Sequence, residues 1–185
     1  MSLKHGILGL LNYGSMTGYE LMKVFEDSLV FFWKAQTSQI YRDLDTIEKK
    51  GWVTSEMVIQ QDKPNKKIFT VTEEGKSEFL RWLNEHSPHK TMQYRDELTM
   101  RMYFSAAGDK EKLVEELELY ASLNKEFYCR LEGIEKTIAH YADKVENPQE
   151  PLYWRMAIMR GLFNAEGNIK WVNACLKLLE DERVL

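Results

Sequence analysis

Apolar residues in the first part of the chain recur at the three- and four-residue spacing of helices that bury one face. The first predicted helix covers residues 3–13, and Gly14 ends it. Thr17 and Glu20 have the spacing of a capping box, in which each side chain binds the other residue's backbone amide, so they open a second helix. The residues that these two helices are predicted to turn inward are Leu3, Ile7, Leu10, Leu11, Leu21, Val24 and Phe25.

A third helix is predicted over residues 37–49, because its apolar residues lie on one narrow stripe. The stripe consists of Ile40, Leu44 and Ile47, and the opposite face carries Ser38, Arg42, Asp45, Thr46 and Lys49, with Thr37 and Tyr41 beside it. Thr37 is the predicted N-cap, and Gly51 supplies the left-handed residue that ends the helix. The aromatic segment at residues 31–33 is predicted to pack beneath this helix.

After Gly51 apolar and polar residues alternate, which predicts two strands at residues 53–59 and 68–72. The loop between them, residues 60–67, has Pro64 and Asn65 as turn residues. The lysines of this loop are Lys63, Lys66 and Lys67. A fourth helix is predicted over residues 74–86, with Thr72 as its cap. Its predicted inward residues are Phe79, Leu80 and Leu83.

Three helices followed by a hairpin with a basic tip is the arrangement of a winged helix-turn-helix domain. In that domain the third helix enters the major groove, and the hairpin, or wing, lies along the backbone or the minor groove. Some protein-interaction domains have the same element order, which leaves a second interpretation. The hydroxyl, amide, phenol and guanidinium groups of the third helix, together with the wing lysines, favour double-stranded DNA as the partner.

The second half of the chain shows two long heptad seams. Residues 87–90 form the candidate boundary, which gives a DNA-binding domain at residues 1–88 and a helical domain at residues 89–185. A short helix is predicted over residues 95–107, and helical patterns follow at 110–145 and after Pro151. The first seam consists of Leu113, Leu117, Tyr120, Asn124, Phe127, Leu131, Ile134, Ile138, Tyr141 and Val145. The second consists of Ile158, Leu162, Ala165, Ile169, Val172, Leu176 and Leu179.

Helices of this length cannot bury both seams against a domain of about 85 residues, so they are predicted to pair with each other and with a second chain. Asn124 is the polar residue at an a position of the first seam, where it would fix the register. The alternative, a hairpin within one chain, leaves exposed Tyr120, Phe127, Tyr153, Trp154, Phe163 and Trp171. The predicted dimerisation residues are Leu117, Tyr120, Asn124, Phe127, Leu131, Ile134, Ile158, Leu162, Ile169, Val172 and Leu176.

Charge is permissive for a DNA-binding role. The chain of 185 residues carries a formal net charge of −4. Residues 1–90 contain 12 basic and 12 acidic residues, whereas residues 91–185 contain 13 and 17, so the acidic surplus lies in the second half. A neutral first half can still present a basic face locally.

The expected location is the cytoplasm. Cys129 and Cys175 lie far apart in helical patterns and are predicted to be buried free thiols in a reducing compartment. The chain has no run of about 18 apolar residues and no signal-peptide pattern, so no membrane association is expected.

Sequence motifs do not indicate an enzyme. No phosphate-binding loop, nucleophile elbow or paired carboxylate motif occurs, and no serine or cysteine has an identifiable base. His86 and His89 have a ligand-like spacing without a third ligand nearby, so neither a metal nor a cofactor is expected.

Seven motifs occur within residues 1–75: MSLKHGILGLL, Thr17-Gly-Tyr-Glu20, Phe32-Trp-Lys-Ala35, Gln39-Ile-Tyr-Arg42, Gly51-Trp-Val-Thr54, Lys63-Pro-Asn-Lys-Lys67 and Thr72-Glu-Glu-Gly75. In order and spacing they resemble the PadR-like transcriptional regulators, and most of all their virulence-activator (AphA-type) branch. The resemblance implies a dimeric winged-helix DNA binder with an antiparallel, coiled-coil-like dimer arm. It also implies DNA contacts from Gln39, Tyr41 and Arg42 in the recognition helix and from Lys63, Asn65, Lys66 and Lys67 in the wing.

The sequence therefore predicts a mainly α protein, with a winged helix-turn-helix domain followed by a helical, coiled-coil-like dimerisation domain. Its predicted function is that of a homodimeric, sequence-specific transcriptional regulator, either repressor or activator. Thr37 and Ser38 complete the predicted set of DNA-binding residues. The alternative is a sensor whose aromatic C-terminal half binds a small aromatic or drug-like effector that controls DNA binding.

Overall fold

The computed structural model of the chain describes residues 2–59, 65–85 and 96–181. The chain divides into two compact units, Met1–Thr91 and Met92–Leu185. The predicted boundary between residues 88 and 89 lies outside the described residues. Residues 60–64, which include Lys63, and the pair His86 and His89 lie outside them as well.

The first unit contains, among its described residues, four α-helices and three short strands. In chain order they are α1 (Ser2–Asn12), β1 (Met16–Thr17), α2 (Gly18–Ser28), α3 (Thr37–Lys49), β2 (Val53–Val58), β3 (Lys66–Val71) and α4 (Glu73–Asn84), with a 3-10 turn at Leu29–Phe31 after α2. The four predicted helices and two predicted strands are confirmed. The sequence does not predict β1, because two residues are too few to show an alternation.

The core of this unit lies between the first three helices and the sheet. Ile40, Leu44 and Ile47 are at most 1% exposed, which confirms the predicted stripe of α3. The other buried core residues are Leu3, Ile7, Leu8, Leu10, Leu11, Leu21, Phe25, Val53 and Phe69. Because the apolar stripe of α3 faces this core, the opposite face of the helix is turned to solvent.

The helix ends show which local signals the fold uses. The capping box at α2 is confirmed: the Glu20 amide donates to Thr17 Oγ1 at 3.2 Å, and the Thr17 amide donates to Glu20 Oε2 at 2.8 Å. The prediction that Thr37 caps α3 is wrong. Gln36 is the N-cap, and its carbonyl accepts from the amides of residues 39 and 40 without a side-chain cap. After α3, Gly51 has a φ of 72°, a conformation that favours glycine.

The three strands form one antiparallel sheet in the order β1-β3-β2. Val53 pairs with Val71 at one end of the β2–β3 hairpin and Val58 with Lys66 at the other, while Met16 of β1 pairs with Phe69. The wing strand β3 is therefore held on both sides, by β2 and by the segment that leads into α2.

The inward face of α4 differs from the prediction. Thr72 caps the helix as expected, with its hydroxyl oxygen accepting from the amide of residue 75. Leu80 and Leu83, however, are 56% and 49% exposed. Phe79 packs against the core, as predicted. The unpredicted inward residue is Trp82, which stacks on the buried His5 of α1 with ring centroids 4.8 Å apart. His5 Nε2 also lies 3.2 Å from Glu78 Oε1, so a polar cluster fills the place that leucines were expected to take.

The predicted packing of residues 31–33 beneath α3 is also wrong for two of the three aromatic residues. Phe32 and Trp33 are 58% and 39% exposed. Leu29 and Ala35, on either side of them, pack against the core instead.

The second unit is helical throughout its described part. It contains α5 (Glu97–Tyr103), a 3-10 turn at Ser105–Ala107, α6 (Lys110–Glu132), α7 (Glu135–Ala142) and α8 (Glu150–Asp181). The pattern predicted as one helix over residues 110–145 is divided in two, because the chain leaves α6 at Gly133. Leu131 and Ile134 are both buried, so the apolar spacing continues across this break.

The two predicted seams pack against each other within the chain. Leu117 and Ala121 of α6 and Val172 of α8 form the buried centre, and the rings of Tyr120 and Trp171 meet edge to face with centroids 6.2 Å apart. The seam residues predicted for dimerisation are buried or half-buried here: Leu117, Tyr120, Asn124, Phe127, Leu131, Ile134, Ile158, Leu162, Ile169, Val172 and Leu176. Their contact with a second chain stays a prediction.

Asn124, the polar residue of the first seam, has its partner in the same chain. Its Oδ1 accepts from Asn168 Nδ2 of α8 at 2.9 Å, and its Nδ2 donates to the Tyr120 carbonyl at 2.8 Å. An amide pair at one level of the seam aligns α6 with α8, so Asn124 serves the register of this hairpin.

The other side of α8 exposes an apolar stripe. Leu152, Met156, Met159 and Phe163 recur at steps of four, three and four residues and are each more than half exposed. We call these four residues the α8 stripe. Among the described helices, none combines the length and apolar character needed to cross a bilayer.

The two cysteines are free, as predicted. Cys129 is exposed, which corrects the prediction that both are buried. Cys175 is half-buried beside the α6–α8 centre, and burial raises the pKa of its thiol.

Candidate nucleic-acid interface

The N-terminal half of α3 presents a polar face to solvent. The residues predicted there are all exposed: Thr37, Ser38, Gln39, Tyr41 and Arg42. Ile40 and Leu44 are buried on the opposite side of the same helix. This buried side anchors the helix and so fixes the direction in which the five exposed residues face. The helix therefore offers donors and acceptors on a fixed frame.

Arg42 is directed along its own helix. Its Nε donates to the Ser38 carbonyl one turn earlier at 3.3 Å, and its own carbonyl accepts from the Thr46 hydroxyl at 2.7 Å. The hydrogen bond through Nε leaves the two terminal nitrogens of the guanidinium as further donors. Two parallel donors match the O6 and N7 acceptors of guanine.

Tyr41 rests on the start of α2. A β-carbon at Gly18 would come within 2.8 Å of Tyr41 Cε1 and of its hydroxyl oxygen. The ring thus occupies the space that any other residue at position 18 would fill. Gly18 was not among the predicted site residues, since a glycine at the start of a helix gives no sequence signal for such a contact.

The wing brings its basic residues next to α3. Asn65, Lys66 and Lys67 are exposed at the start of β3. Lys67 Nζ lies 2.8 Å from Glu48 Oε2, in the last turn of α3, and 4.9 Å from the centroid of the Phe69 ring. Of the predicted wing residues, Lys67 contacts the helix, and Asn65 and Lys66 line an open cleft together with residues of α3. Lys63 lies outside the described residues.

Glu48 connects α3 with both strands of the wing. Its Oε1 accepts from the Ser55 hydroxyl of β2, and its Oε2 accepts from Lys67 of β3. The hydrogen bonds from Lys67 and Ser55 hold the pKa of Glu48 below its ordinary value. Glu48 was missed by sequence reasoning, because its partners lie far along the chain and carry no motif.

An open cleft of about 640 Å³ lies between the start of α2, α3 and the wing. Its lining includes three carboxylates, and each has a partner: Glu20 belongs to the capping box, Asp45 binds Lys49 at 2.6 Å, and Glu48 binds Lys67. Lys66 lies close enough to Glu20 to contribute, after the hydrogen bonds from Thr17, to the lowered pKa of that carboxyl. Because nearby amide, hydroxyl or lysine groups hold these carboxylates, the repulsion between this face and a polyanion such as DNA is reduced.

The described residues contain no group of three or more His, Cys, Asp or Glu side chains placed to hold a metal ion.

Both units match models of known protein families. Residues 7–81, which hold α3 and the wing, match the family model of the PadR-like transcriptional regulators, and residues 94–180 match that of the C-terminal domain of virulence activator alpha. By these matches the first unit is similar to the PadR-like transcriptional regulators and the second to the virulence activators. The matches confirm the predicted resemblance and the predicted fold class, a winged helix-turn-helix domain followed by a helical domain.

Relatives match along nearly the whole chain. The negative transcriptional regulator PadR of Bacillus subtilis is 26% identical over 180 residues, covering 97% of this chain and 98% of PadR. The structure of that PadR with operator DNA has a TM-score of 0.79 at 27% identity and covers 97% of this chain and 99% of the other. Its structure with p-coumaric acid has a TM-score of 0.73 at 25% identity, covering 96% and 95%.

The virulence activator AphA of Vibrio cholerae shares the fold. Its TM-score is 0.77 at 23% identity, and the match covers 98% of this chain and 99% of AphA.

Proposed function

We propose that this PadR-like protein is a homodimeric, sequence-specific DNA-binding regulator of transcription. The observation that carries the proposal is the exposed polar face of α3 beside a basic wing, built on a buried stripe that fixes its direction. It is supported by the relative PadR, which has been crystallised with operator DNA and aligns along 97% of this chain.

In the proposed complex the two parts of the interface have different tasks. Gln39 and Arg42 read base edges in the major groove, because amide and guanidinium groups form bidentate hydrogen bonds with adenine and guanine. Thr37, Ser38 and Tyr41 contact the backbone at the groove edge, where hydroxyl groups serve as donors to phosphate. The predicted wing residues Lys63, Asn65, Lys66 and Lys67 lie along the DNA backbone.

The proposed dimer contact lies in the second unit. The seams of α6 and α8 are filled within one chain, whereas the α8 stripe is exposed. A row of four large apolar residues on one helix face is typical of a surface that a second helix covers. We therefore expect the α8 stripe of one chain to extend the predicted seam contact to its partner.

The experiment that tests the proposal is selection from a pool of random DNA duplexes by the full-length protein, followed by sequencing. Enrichment of one palindromic or pseudopalindromic sequence is expected, because a two-fold dimer presents two recognition helices. The selected duplex and a scrambled duplex are then compared in a binding titration. A protein that enriches no sequence, or binds both duplexes alike, contradicts the proposal.

A second candidate function is ligand sensing. The structure of PadR with p-coumaric acid favours it, and the aromatic second unit of this chain provides apolar surface for a flat molecule. Saturable quenching of tryptophan fluorescence by p-coumaric acid, together with weaker binding of the selected duplex, supports the sensor. Unchanged fluorescence and unchanged DNA affinity exclude this ligand.

Transcriptional regulators of this kind are in general not enzymes. We infer that this chain acts without catalysis and in the cytoplasm, the location predicted from its sequence.

A further inference from the structure

Lys67 differs from its neighbour Lys66 in what surrounds its ammonium group. Lys67 Nζ lies 2.8 Å from Glu48 Oε2 and above the Phe69 ring. Its side chain is 43% exposed and that of Glu48 is 28% exposed, so the pair is partly shielded from water. Within the described residues Lys66 forms no ion pair, although it precedes Lys67 directly.

Glu48 is placed to fix the angle between α3 and the wing. It belongs to the last turn of α3, and its two oxygens bind one residue from each strand of the hairpin, Ser55 of β2 and Lys67 of β3. Ser55 is paired with Phe69 in the sheet, and Phe69 is part of the buried core. A rotation of the hairpin away from α3 would therefore break both hydrogen bonds of Glu48.

We propose that Glu48 is a positioning residue that holds the wing against the recognition helix, and that Lys67 acts through Glu48 and makes no contact with a DNA phosphate. This inference rests on the proposed DNA binding and narrows the predicted wing contacts to Lys63, Asn65 and Lys66. The carboxylate of Glu48 takes one of the three donors of the Lys67 ammonium and balances its charge, so Lys67 attracts a phosphate less strongly than Lys66 does.

The two roles of Lys67 predict different responses to Glu48→Gln. This substitution removes a negative charge from a face that binds a polyanion, so charge alone predicts tighter binding. Loss of the positioning contact predicts weaker binding, because the wing is no longer held beside α3. We expect about fivefold weaker binding of the selected duplex, the size of a partly exposed ion pair.

A double-mutant cycle measures whether Lys67 acts through Glu48. The full-length protein and its Glu48→Gln, Lys67→Met and doubly substituted variants are titrated with the selected duplex at several salt concentrations. The double variant should bind no more weakly than either single variant. The slope of log affinity against log salt should equal that of the unsubstituted protein in all three variants, whereas the matched control Lys66→Met should lower it by about one unit.

A second measurement needs no DNA. Hydrogen exchange of the β2 and β3 amides in the free protein should be faster in Glu48→Gln and Lys67→Met than in the unsubstituted protein, and unchanged in Lys66→Met. It reports the holding of the wing even if the unsubstituted protein proves to lack sequence preference, an outcome that would refute the proposed function alone.

Three outcomes overturn the positioning role. They are tighter DNA binding by Glu48→Gln, a salt slope lowered by about one unit in Lys67→Met, and β2–β3 hydrogen exchange that is the same in all variants. The first two would make Lys67 a phosphate contact that Glu48 restrains in the free protein.

Discussion

In the proposed complex Arg42 and Lys66 make two different kinds of contact with DNA. A planar guanidinium binds the two acceptors of guanine at once, whereas a flexible ammonium suits a phosphate and carries no sequence information. We expect Arg42→Ala to reduce the free energy of binding to the selected duplex by about 1–3 kcal/mol, and to a scrambled duplex by much less. Fluorescence anisotropy with both duplexes measures the ratio.

Lys66→Ala is the control for this comparison. It should weaken binding to both duplexes alike and lower the slope of log affinity against log salt by about one unit. If Arg42→Ala reduced the affinity for both duplexes equally, Arg42 would be a backbone contact. Gln39 would then be the first candidate for base reading.

Glu48 also makes the stability of the first unit depend on pH. Hydrogen bonds from Lys67 and Ser55 lower its pKa, while burial and the neighbouring Asp45 oppose the shift. A carboxyl whose folded pKa is lowered stabilises the fold above its unfolded pKa, and this contribution is lost as the pH falls through the folded value. The relevant window therefore lies below the ordinary value of 4.5.

We expect Glu48→Gln to be less stable than the unsubstituted protein at pH 7, by under about 1 kcal/mol because the pair is partly exposed. The difference should shrink towards pH 3. Urea unfolding at the two pH values measures it. A difference that stays constant between pH 7 and pH 3 would show that lost packing, and not the charge of Glu48, is responsible.

At the scale of the elements, the Asn124–Asn168 pair decides how α6 and α8 tolerate substitution. Asn124→Leu alone leaves the half-buried Asn168 amide without its acceptor. This should lower the free energy of unfolding by about 1 kcal/mol or more. Replacing both residues by leucine removes both polar groups and should recover most of this loss. Urea unfolding of the two variants tests the expectation.

The double leucine variant has a second expected property. Without the amide pair, the seam loses the polar contact that fixes its register. Its unfolding should become less cooperative than that of the unsubstituted protein. A double variant that is as unstable as Asn124→Leu would contradict the proposed cause.

Elements with a strong local pattern were predictable from the sequence, and contacts between distant residues were not. The stripe of Ile40, Leu44 and Ile47 located α3 and therefore its exposed face. The break after α6 was hidden because Leu131 and Ile134 keep the heptad spacing across Gly133.

Two features of the first unit depend on partners that no local pattern reveals. Leu80 and Leu83 looked like the inner face of α4, yet the polar His5 of α1 draws Glu78 and Trp82 inward instead. The polar face of α3 was predictable residue by residue. The contacts that place it, from Gly18 to Tyr41 and from Glu48 to Lys67, join separate elements and appear only in the folded chain.

At the scale of the whole molecule, the α8 stripe bears on assembly. Phe163 is 65% exposed in the single chain, and the proposed dimer would bury it. A glutamate there would place a charge in an apolar contact, so we expect Phe163→Glu to dissociate the dimer at micromolar concentration and to weaken operator binding by at least about tenfold. Sedimentation velocity and a binding titration measure the two effects.

Asn164→Glu is the matched control, because position 164 is exposed on α8 but lies outside the stripe. It should sediment and bind DNA as the unsubstituted protein does. A Phe163→Glu variant that remains dimeric would move the proposed contact away from the α8 stripe.

The space that Gly18 leaves for the Tyr41 ring has a consequence for engineering new operator preferences. A library that varies α3 alone tests only those side chains at position 41 that fit against a glycine. A larger residue at position 18 would displace the side chain at position 41. Varying the two positions together therefore allows side-chain directions at position 41 that substitutions in α3 alone do not allow. Retargeting this protein therefore begins in α2, one helix before the residues that are proposed to contact DNA.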